Sequence, residues 1–272
     1  ADQIDTSSEL VQRELILKIL RGNVSNVEQF MERCRKYNLE IIAGSFRVIS
    51  MAPQSPLPEE FLSKITIKFK EKSSADVKPQ VHGIREFGSD HFTFLLNAPV
   101  LSDTYIKEGI QNVRQLLKDL QLPRTSFGVG ETRNEIQEVP QSYLEAKSAL
   151  EHRFILGIDE NFFASDFFET KNHFYKYPTR EMERLQQNII NTQTKEAQNL
   201  ISDMIQNLKS KQFSLFAARC ITNDIISSLI KSSTSSEKNA DQVWHLADAL
   251  SIAQIQTIDQ MESFLLQFTE DL

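Results

Sequence analysis

The chain has 272 residues, of which 40% are hydrophobic and 25% are charged, as in a soluble globular protein of one or two domains. Eight glycines and eight prolines exclude a collagen-like chain and a generally Pro/Gly-rich disordered chain. Two cysteines, Cys34 and Cys220, exclude a disulfide scaffold and a four-cysteine zinc site. A single bridge between them stays open, but two free thiols in a reducing compartment are the simpler interpretation.

Charge narrows the classes of partner. Thirty Lys and Arg against 37 Asp and Glu give a net charge of −7, and no Lys or Arg follows Lys238. Because the acidic segment 241–272 would repel phosphates, we predict no direct contact of this end with nucleic acid. No apolar run is long enough for a membrane span, and no signal-peptide core is visible.

The first forty residues predict two helices. Apolar residues recur every three or four positions from Leu10 to Leu20, and Gly22 fits a C-terminal cap. Ser25 is the expected N-cap of a second helix that ends near Asn38. A pair of core helices is the plainer interpretation. The alternative is that the first helix couples an upstream module or pairs with a second subunit.

The middle of the chain alternates strands and helices. Strands are predicted at 46–51, 80–87, 91–96 and 125–130, and helices at 58–69, 102–120 and 140–150. Short strands or an irregular wall are expected at 154–156 and 162–163. A hairpin flanked by two helical crossovers is the split βαβ arrangement of a ferredoxin-like antiparallel sheet with flanking helices. The pattern therefore predicts an α+β fold.

Helical periodicity dominates from Thr179 onward and predicts an all-α domain of four or five helices. A serine-rich loop is expected at 231–240, a short helix beginning at Trp244, and a last helix around Met261. The predicted domains are N-terminal signalling helices at 1–43, an α+β domain at 44–165 and a helical domain at 166–272.

Most motifs for catalysis or cofactor binding are missing. The five histidines are scattered, with no His or Cys at ligand spacing, so we predict no metal site and no cofactor. There is no G-x-S-x-G elbow, P-loop or G-x-G-x-x-G. The G-x-G at 128–130 follows a strand. We interpret it as close backbone packing at the strand end rather than as a nucleotide site.

The predicted hairpin carries a family resemblance. Its turn reads Gly88, Ser89, Asp90, His91 and is followed by an apolar strand, which resembles the Gly-Gly-Asp-Glu-Phe signature of GGDEF domains, the diguanylate cyclase fold. Two further segments of that family have similar stretches here. Residues 126–130 resemble its Ser-x-Gly-x strand, and Tyr143-Leu-Glu-Ala-Lys147 resembles its final helix. The resemblance covers roughly 44–165 and implies a degenerate GGDEF-like domain.

The same comparison argues against cyclase activity. The family holds its metal ions with one carboxylate at the end of the first strand and another at the Glu of the signature. Here the first strand ends Ile49-Ser-Met-Ala-Pro53 without an acid, and His91 replaces the Glu. Ser89 replaces the second glycine. We therefore predict no catalytic residue and expect Asp90 to cap the turn, while Gly88, Ser89, Asp90 and His91 are the candidate ligand-binding residues.

A second resemblance concerns the whole chain. Residues 15–22 and 37–49 resemble the segment that precedes such domains in AraC-type transcriptional regulators. This resemblance implies a homodimer that binds DNA only through a C-terminal helix-turn-helix domain, which would follow Leu272. It also implies an upstream membrane or sensor module and a cytoplasmic location, as a cytoplasmic protein or the cytoplasmic part of a membrane-anchored regulator.

Three functional hypotheses follow. The first is a non-catalytic, signal-transmitting or dimerisation region of a regulator, in which removal of residues up to Ile41 keeps the fold but abolishes input sensitivity. The second is a receptor for a small molecule or nucleotide, bound in the GGDEF-like domain or at its junction with the helical domain. The third is an active diguanylate cyclase.

Overall fold

The computed structural model describes residues 2–71, 79–168, 177–210, 214–234 and 255–271 of a mixed α/β protein. These residues fall into two compact units. Unit 1 lies within 1–151 and 158–169, and unit 2 lies within 152–157 and 170–272. The predicted helix at Trp244 and most of the predicted serine-rich loop lie outside the described residues.

Unit 1 consists of a five-stranded sheet with flanking helices. Its helices are α1 (Asp2–Leu20), α2 (Val27–Lys36), α3 (Phe61–Lys70), α4 (Asp103–Asp119), α5 (Val139–Glu151) and the short α7 (Ser165–Phe168). A 3-10 turn at Ile136–Glu138 precedes α5. Its strands are β1 (Ser45–Pro53), β2 (Gln80–Arg85), β3 (Phe92–Ala98), β4 (Thr125–Val129) and β5 (Asn161–Phe163). The predicted strand–helix alternation of the middle of the chain is thereby confirmed, with boundaries shifted by a few residues.

The strand order is β2-β3-β1-β4-β5. The pairs β2–β3, β3–β1 and β1–β4 are antiparallel, whereas β5 is parallel to β4. The sheet is therefore mixed rather than antiparallel as expected, because the chain returns from β4 through α5 before it adds β5 in the same direction. Residues 154–156 belong to a helical turn rather than to a strand.

Alternation along β1 divides the core of unit 1 between the two faces of the sheet. Ile49 and Met51 pack among the buried residues of α3 and α4. Phe46 and Val48 pack on the opposite face, among the buried residues of α1, α2 and α5. Both faces of the strand are covered, which explains why its sequence is apolar at nearly every position.

The G-x-G at 128–130 brings α5 against β4. A Cβ atom at Gly128 would lie 2.1 Å from the carbonyl oxygen of Ala146, and one at Gly130 would lie 2.0 Å from that of Ser142. Only a residue without a side chain fits at either position. The interpretation of this motif as close backbone packing is confirmed.

The first two helices belong to the core of unit 1. Gly22 follows α1 with φ +74°, as expected for a C-terminal cap, but the N-cap of α2 is Asn26 rather than Ser25. The Asn26 side chain accepts a hydrogen bond from the backbone N–H of Gln29 at 3.0 Å. Leu15 and Ile19 are fully buried on one face of the sheet. Removing residues up to Ile41 would therefore expose this core, and we now expect that truncation to destabilise the fold instead of sparing it.

All the secondary-structure elements among the described residues of unit 2 are helices. The unit contains α6 (Arg153–Leu156), α8 (Thr179–Ile190), α9 (Thr194–Lys209), α10 (Leu215–Thr234) and α11 (Ile258–Glu270), which share one apolar core. Thr257 begins α11 with a capping box that it forms with Gln260. Cys34 and Cys220 are both free thiols. Within the described part of the chain, no helix combines the length and apolar character needed to cross a membrane.

Candidate functional site at the hairpin turn

The turn that connects β2 to β3 holds the four candidate ligand-binding residues. Gly88 has φ +74°, in the left-handed region that glycine tolerates best, and no atom lies within 4 Å of the position of a Cβ. The backbone N–H of Glu86 donates to the carbonyl of His91 at 2.9 Å and closes the turn. Glycine at position 88 is therefore favoured by the left-handed backbone conformation of the turn, and not by close packing.

The side chains of the turn bind neighbours within the hairpin. Ser89 Oγ accepts a hydrogen bond from the backbone N–H of His91 at 3.3 Å. Asp90 Oδ1 accepts one from the guanidinium of Arg85 at 2.6 Å. The expectation that Asp90 caps the turn is wrong: Ser89 accepts from the backbone, while Asp90 forms an ion pair across the hairpin.

Next to the turn lies a network that sequence reasoning did not predict. The Glu86 carboxylate accepts hydrogen bonds from Thr93 Oγ1 at 2.7 Å and from Tyr143 OH at 3.3 Å. Its other oxygen accepts from Lys147 Nζ at 2.7 Å. Only 12% of the Glu86 side chain is exposed, against 38% for Lys147. These four residues, which we call the Glu86 network, fasten the turn to α5.

The electrostatics of the Glu86 network follow from burial and pairing. Burial by itself raises the pKa of Glu86, but hydrogen bonds from Lys147 and Thr93, with the charge of Lys147, hold that pKa below its ordinary value. Burial by itself lowers the pKa of Lys147. The hydrogen bond to Glu86 and the charge of that carboxylate outweigh the effect of burial, so the pKa of Lys147 is raised. Burial, helped by the charge of Glu86, raises the pKa of Tyr143. The carboxylate and the ammonium are therefore both charged at neutral pH.

The sequence contains these residues without showing that they meet. Tyr143 and Lys147 are four positions apart, so they share one face of a helix, and Lys147 Nζ lies 3.5 Å from Tyr143 OH. Glu86 precedes Lys147 by 61 residues. The one local signal was an acid at the end of a strand, directly before a turn. No local pattern indicates which cation reaches it.

The first helix also reaches the hairpin. The Arg13 guanidinium on α1 donates to the carbonyl oxygen of Arg85 at 2.9 Å, and it lies 3.7 Å from Glu59 Oε1. Gln12 donates to the carbonyl of Tyr37 at 2.7 Å, beyond the end of α2. The turn end of the hairpin is therefore held by both α1 and α5, which pack on the same face of the sheet.

A concave feature of the surface lies between α1 and α2. It is an open groove of about 560 Å³ whose lining includes the cations Lys18, Arg33 and Lys36 and the acid Glu32. Glu14 lies 2.8 Å from Lys18 and 3.9 Å from Arg33, so part of this positive charge is compensated. Most of its lining side chains are polar, and none of the lining residues belongs to the G-x-G motif.

Metal-ligating groups do not converge in the described residues, where no group of three or more His, Cys, Asp or Glu side chains could hold a metal ion. At the turn, Asp90 is paired with Arg85, and Glu86 is paired with Lys147. The arrangement can fix the position of the hairpin. It does not bring together the carboxylates that two divalent cations and a triphosphate require.

Neither a comparison with protein-family models nor a search of curated proteins yields a match to this chain.

Proposed function

We propose that this chain is a non-catalytic, signal-transmitting region of an AraC-type transcriptional regulator, with residues 44–165 as a degenerate GGDEF-like domain. The strand order of β1 to β4 supports the GGDEF-like part of this proposal. β3 lies between β1 and β2, and β1 pairs antiparallel with both β3 and β4. A ferredoxin-like sheet has this arrangement, and its hairpin connects β2 to β3, where the Gly-Ser-Asp-His turn lies.

The observation that carries the non-catalytic half of the proposal is the internal pairing at the turn. Asp90 Oδ1 is 2.6 Å from the guanidinium of Arg85, and Glu86 Oε2 is 2.7 Å from Lys147. β1 runs to Pro53 without contributing a carboxylate. A cyclase needs acids that are free to hold Mg²⁺. In this chain the acids of the turn hold cations of the protein itself, and they stabilise the hairpin.

The transmitting half of the proposal concerns α1. Its C-terminal half is buried on the sheet, and Arg13 donates to the hairpin backbone. A displacement of α1 would therefore act on the turn through a hydrogen bond as well as through the core. Such coupling requires an element with two arrangements that an input at α1 can bias. We assign the β2–β3 hairpin to that role.

Nucleotide turnover and amide exchange test the two halves separately. Incubated with GTP and Mg²⁺ or Mn²⁺, the full chain and its His91→Glu variant should form no dinucleotide. The variant restores one acid, whereas β1 still lacks the other.

In the second experiment, Arg13→Ala should speed amide exchange at residues 86–91. Arg124→Ala is the control, because Arg124 directly precedes β4, which pairs with β1 on the side away from the hairpin. Dinucleotide formation by the unmodified chain, or unchanged hairpin exchange in Arg13→Ala, would contradict the corresponding half.

The groove between α1 and α2 favours a second candidate function, a receptor for a small anion. Three cations line it against one acid, and carboxylate or phosphate groups are the usual partners of such side chains. Calorimetric titration with GTP and with inorganic phosphate tests this candidate. Binding that is lost in Lys36→Ala and retained in Asp90→Asn would place the ligand in the groove rather than at the turn.

A further inference from the structure

One buried hydroxyl group in the sheet of unit 1 is unpaired. Ser50, in the middle of β1, is 1% exposed, and its Oγ forms no hydrogen bond within the described part of the chain. The other two buried serines of unit 1 are bonded: Ser126 Oγ accepts from the backbone N–H of Asp159, and Ser142 Oγ from that of Val48, both at 3.1 Å. An unpaired buried hydroxyl raises the free energy of the folded state, so a functional reason for it is worth seeking.

Ser50 lies directly opposite Thr93 of β3. Val48 accepts a backbone hydrogen bond from Gly130, on the β4 side, at 3.0 Å. Because backbone bonds alternate along a strand, Ser50, two residues on, also turns its backbone toward β4. Ser50 and Thr93 are therefore a non-hydrogen-bonded pair, whose side chains share one face with Cβ atoms about 4.5–5.5 Å apart. Rotation about χ1 can bring two hydroxyl groups so placed within hydrogen-bonding distance.

In this structure the Thr93 hydroxyl is bonded elsewhere. Thr93 is fully buried, and its Oγ1 donates to the Glu86 carboxylate at 2.7 Å. A hydroxyl group has one hydrogen to donate, so this bond excludes donation to Ser50 Oγ. The pairing of Thr93 with Glu86 therefore leaves Ser50 without a donor.

The acceptor of Thr93 belongs to the part of the hairpin that we expect to move. Glu86 directly precedes the turn, and Tyr143 and Lys147 hold it to α5. Thr93 instead lies within β3, which is paired on both sides. If the turn leaves α5, the carboxylate leaves with it and Thr93 loses its acceptor. Rotation of the Thr93 side chain toward Ser50 then pairs both hydroxyls with each other.

We propose that Ser50 is the alternative hydrogen-bond partner that Thr93 takes when the β2–β3 hairpin moves away from α5. This inference rests on the proposed function, in which the hairpin has two arrangements, and it names the group that stabilises the second. The unpaired Ser50 hydroxyl raises the free energy of the arrangement seen here, and its bond to Thr93 lowers that of the displaced one. Ser50 thereby brings the two arrangements closer in free energy, as a switch element requires.

Amide exchange at residues 86–91 in Ser50→Ala tests this role. Alanine removes the unpaired hydroxyl from the first arrangement and the partner of Thr93 from the displaced one, so both effects oppose displacement. Where exchange follows the population of the open form, it should slow at least about fivefold, the effect of one hydrogen bond. Ser126→Ala is the matched control, since Ser126 is equally buried but bonded to Asp159, and it should leave exchange at the turn unchanged.

Thr93→Val separates the switch from a general change in stability. Without a hydroxyl at position 93, Ser50 is unpaired in both arrangements, and its removal affects them equally. Ser50→Ala should therefore slow exchange in the wild-type background and have no effect in the Thr93→Val background. An effect of the same size in both backgrounds would overturn the inference.

Urea denaturation tests whether the hydroxyl is unpaired in the first arrangement. Ser50→Ala should keep or raise the midpoint, whereas Ser126→Ala should lower it, because only the second substitution removes a hydrogen bond. A midpoint that falls as far in Ser50→Ala as in Ser126→Ala would refute the role of Ser50. It would mean that another group, such as an internal water molecule, already satisfies this hydroxyl.

These outcomes are distinct from a failure of the proposed function. Faster hairpin exchange in Arg13→Ala, together with unchanged exchange in Ser50→Ala, would remove the assignment of Ser50 and leave the coupling of α1 to the hairpin standing. Slower exchange in Ser50→Ala, together with unchanged exchange in Arg13→Ala, would contradict that coupling and leave the change of partner at Thr93 standing.

Discussion

Replacing Lys147 with methionine tests whether the Glu86 network holds the hairpin to α5. Methionine keeps most of the aliphatic stem and removes the ammonium group. The Glu86 carboxylate then retains the hydroxyls of Thr93 and Tyr143 but loses its one cationic partner in the network. Its side chain is 12% exposed, so water replaces the lost hydrogen bond only in part.

The expected cost follows from these exposures. A hydrogen bond to a charged group contributes about 1.5–3 kcal/mol when it is shielded from water. Lys147 is 38% exposed, and screening by solvent reduces this contribution. We expect Lys147→Met to lower the free energy of unfolding by about 1–2 kcal/mol and to speed amide exchange at residues 86–91.

A double-mutant cycle with Glu86→Gln isolates the pair. Urea denaturation followed by circular dichroism should give a coupling energy of about 1 kcal/mol between the two substitutions. Lys68 and Glu71 form the matched control, since they pair at 2.6 Å but are 32% and 46% exposed. Their coupling should not exceed about 0.5 kcal/mol. Additive effects of Glu86→Gln and Lys147→Met would refute the reasoning, because they would mean that the ion pair does not hold the turn.

Three further predictions concern other parts of the molecule. The pKa of Glu86 is depressed by folding, so its contribution is complete above the unfolded value of about 4.3 and is lost as the pH falls through the folded pKa. The stability difference between wild type and Glu86→Gln should therefore shrink below about pH 4 in urea titrations; a constant difference would contradict this. Gly130→Ala should cost about 3 kcal/mol because its Cβ meets the Ser142 carbonyl, whereas Gly88→Ala should cost about 1–2 kcal/mol for its backbone conformation alone. The reverse ranking in calorimetry would contradict the packing of α5 on β4. Burial raises the pKa of the Cys34 thiol to about 11, so a thiol reagent at pH 8 should modify Cys34 far more slowly than the half-buried Cys220. Equal rates in the folded protein would count against that burial.

Local pattern predicted most of the elements. The apolar period and the serine before it predicted a helix at 102–120, and α4 spans Asp103–Asp119 with Ser102 as its N-cap. The glycine-containing turn between two β-rich segments predicted the hairpin of β2 and β3. Both signals work because helix caps and tight turns depend on neighbouring residues alone.

Local pattern failed where equivalent groups compete. Ser25 and Asn26 are both good N-caps, and the side chain that reaches the N–H of Gln29 is that of Asn26. Asp90 can cap a turn from its own backbone, but a guanidinium across the hairpin binds it instead. An ion pair that is available in three dimensions outweighs the weaker local hydrogen bond.

The sequence by itself determined the succession of helices and strands, the hairpin with its left-handed glycine, and the need for glycine in the G-x-G segment. Tertiary structure decided which strand completes the sheet and which charged groups pair. The parallel pairing of β5 with β4, the contact of Arg13 with the hairpin and the ion pair between Glu86 and Lys147 all join residues far apart in the chain. Periodicity records which face of an element is buried, whereas the partner of a buried charge depends on which elements pack together.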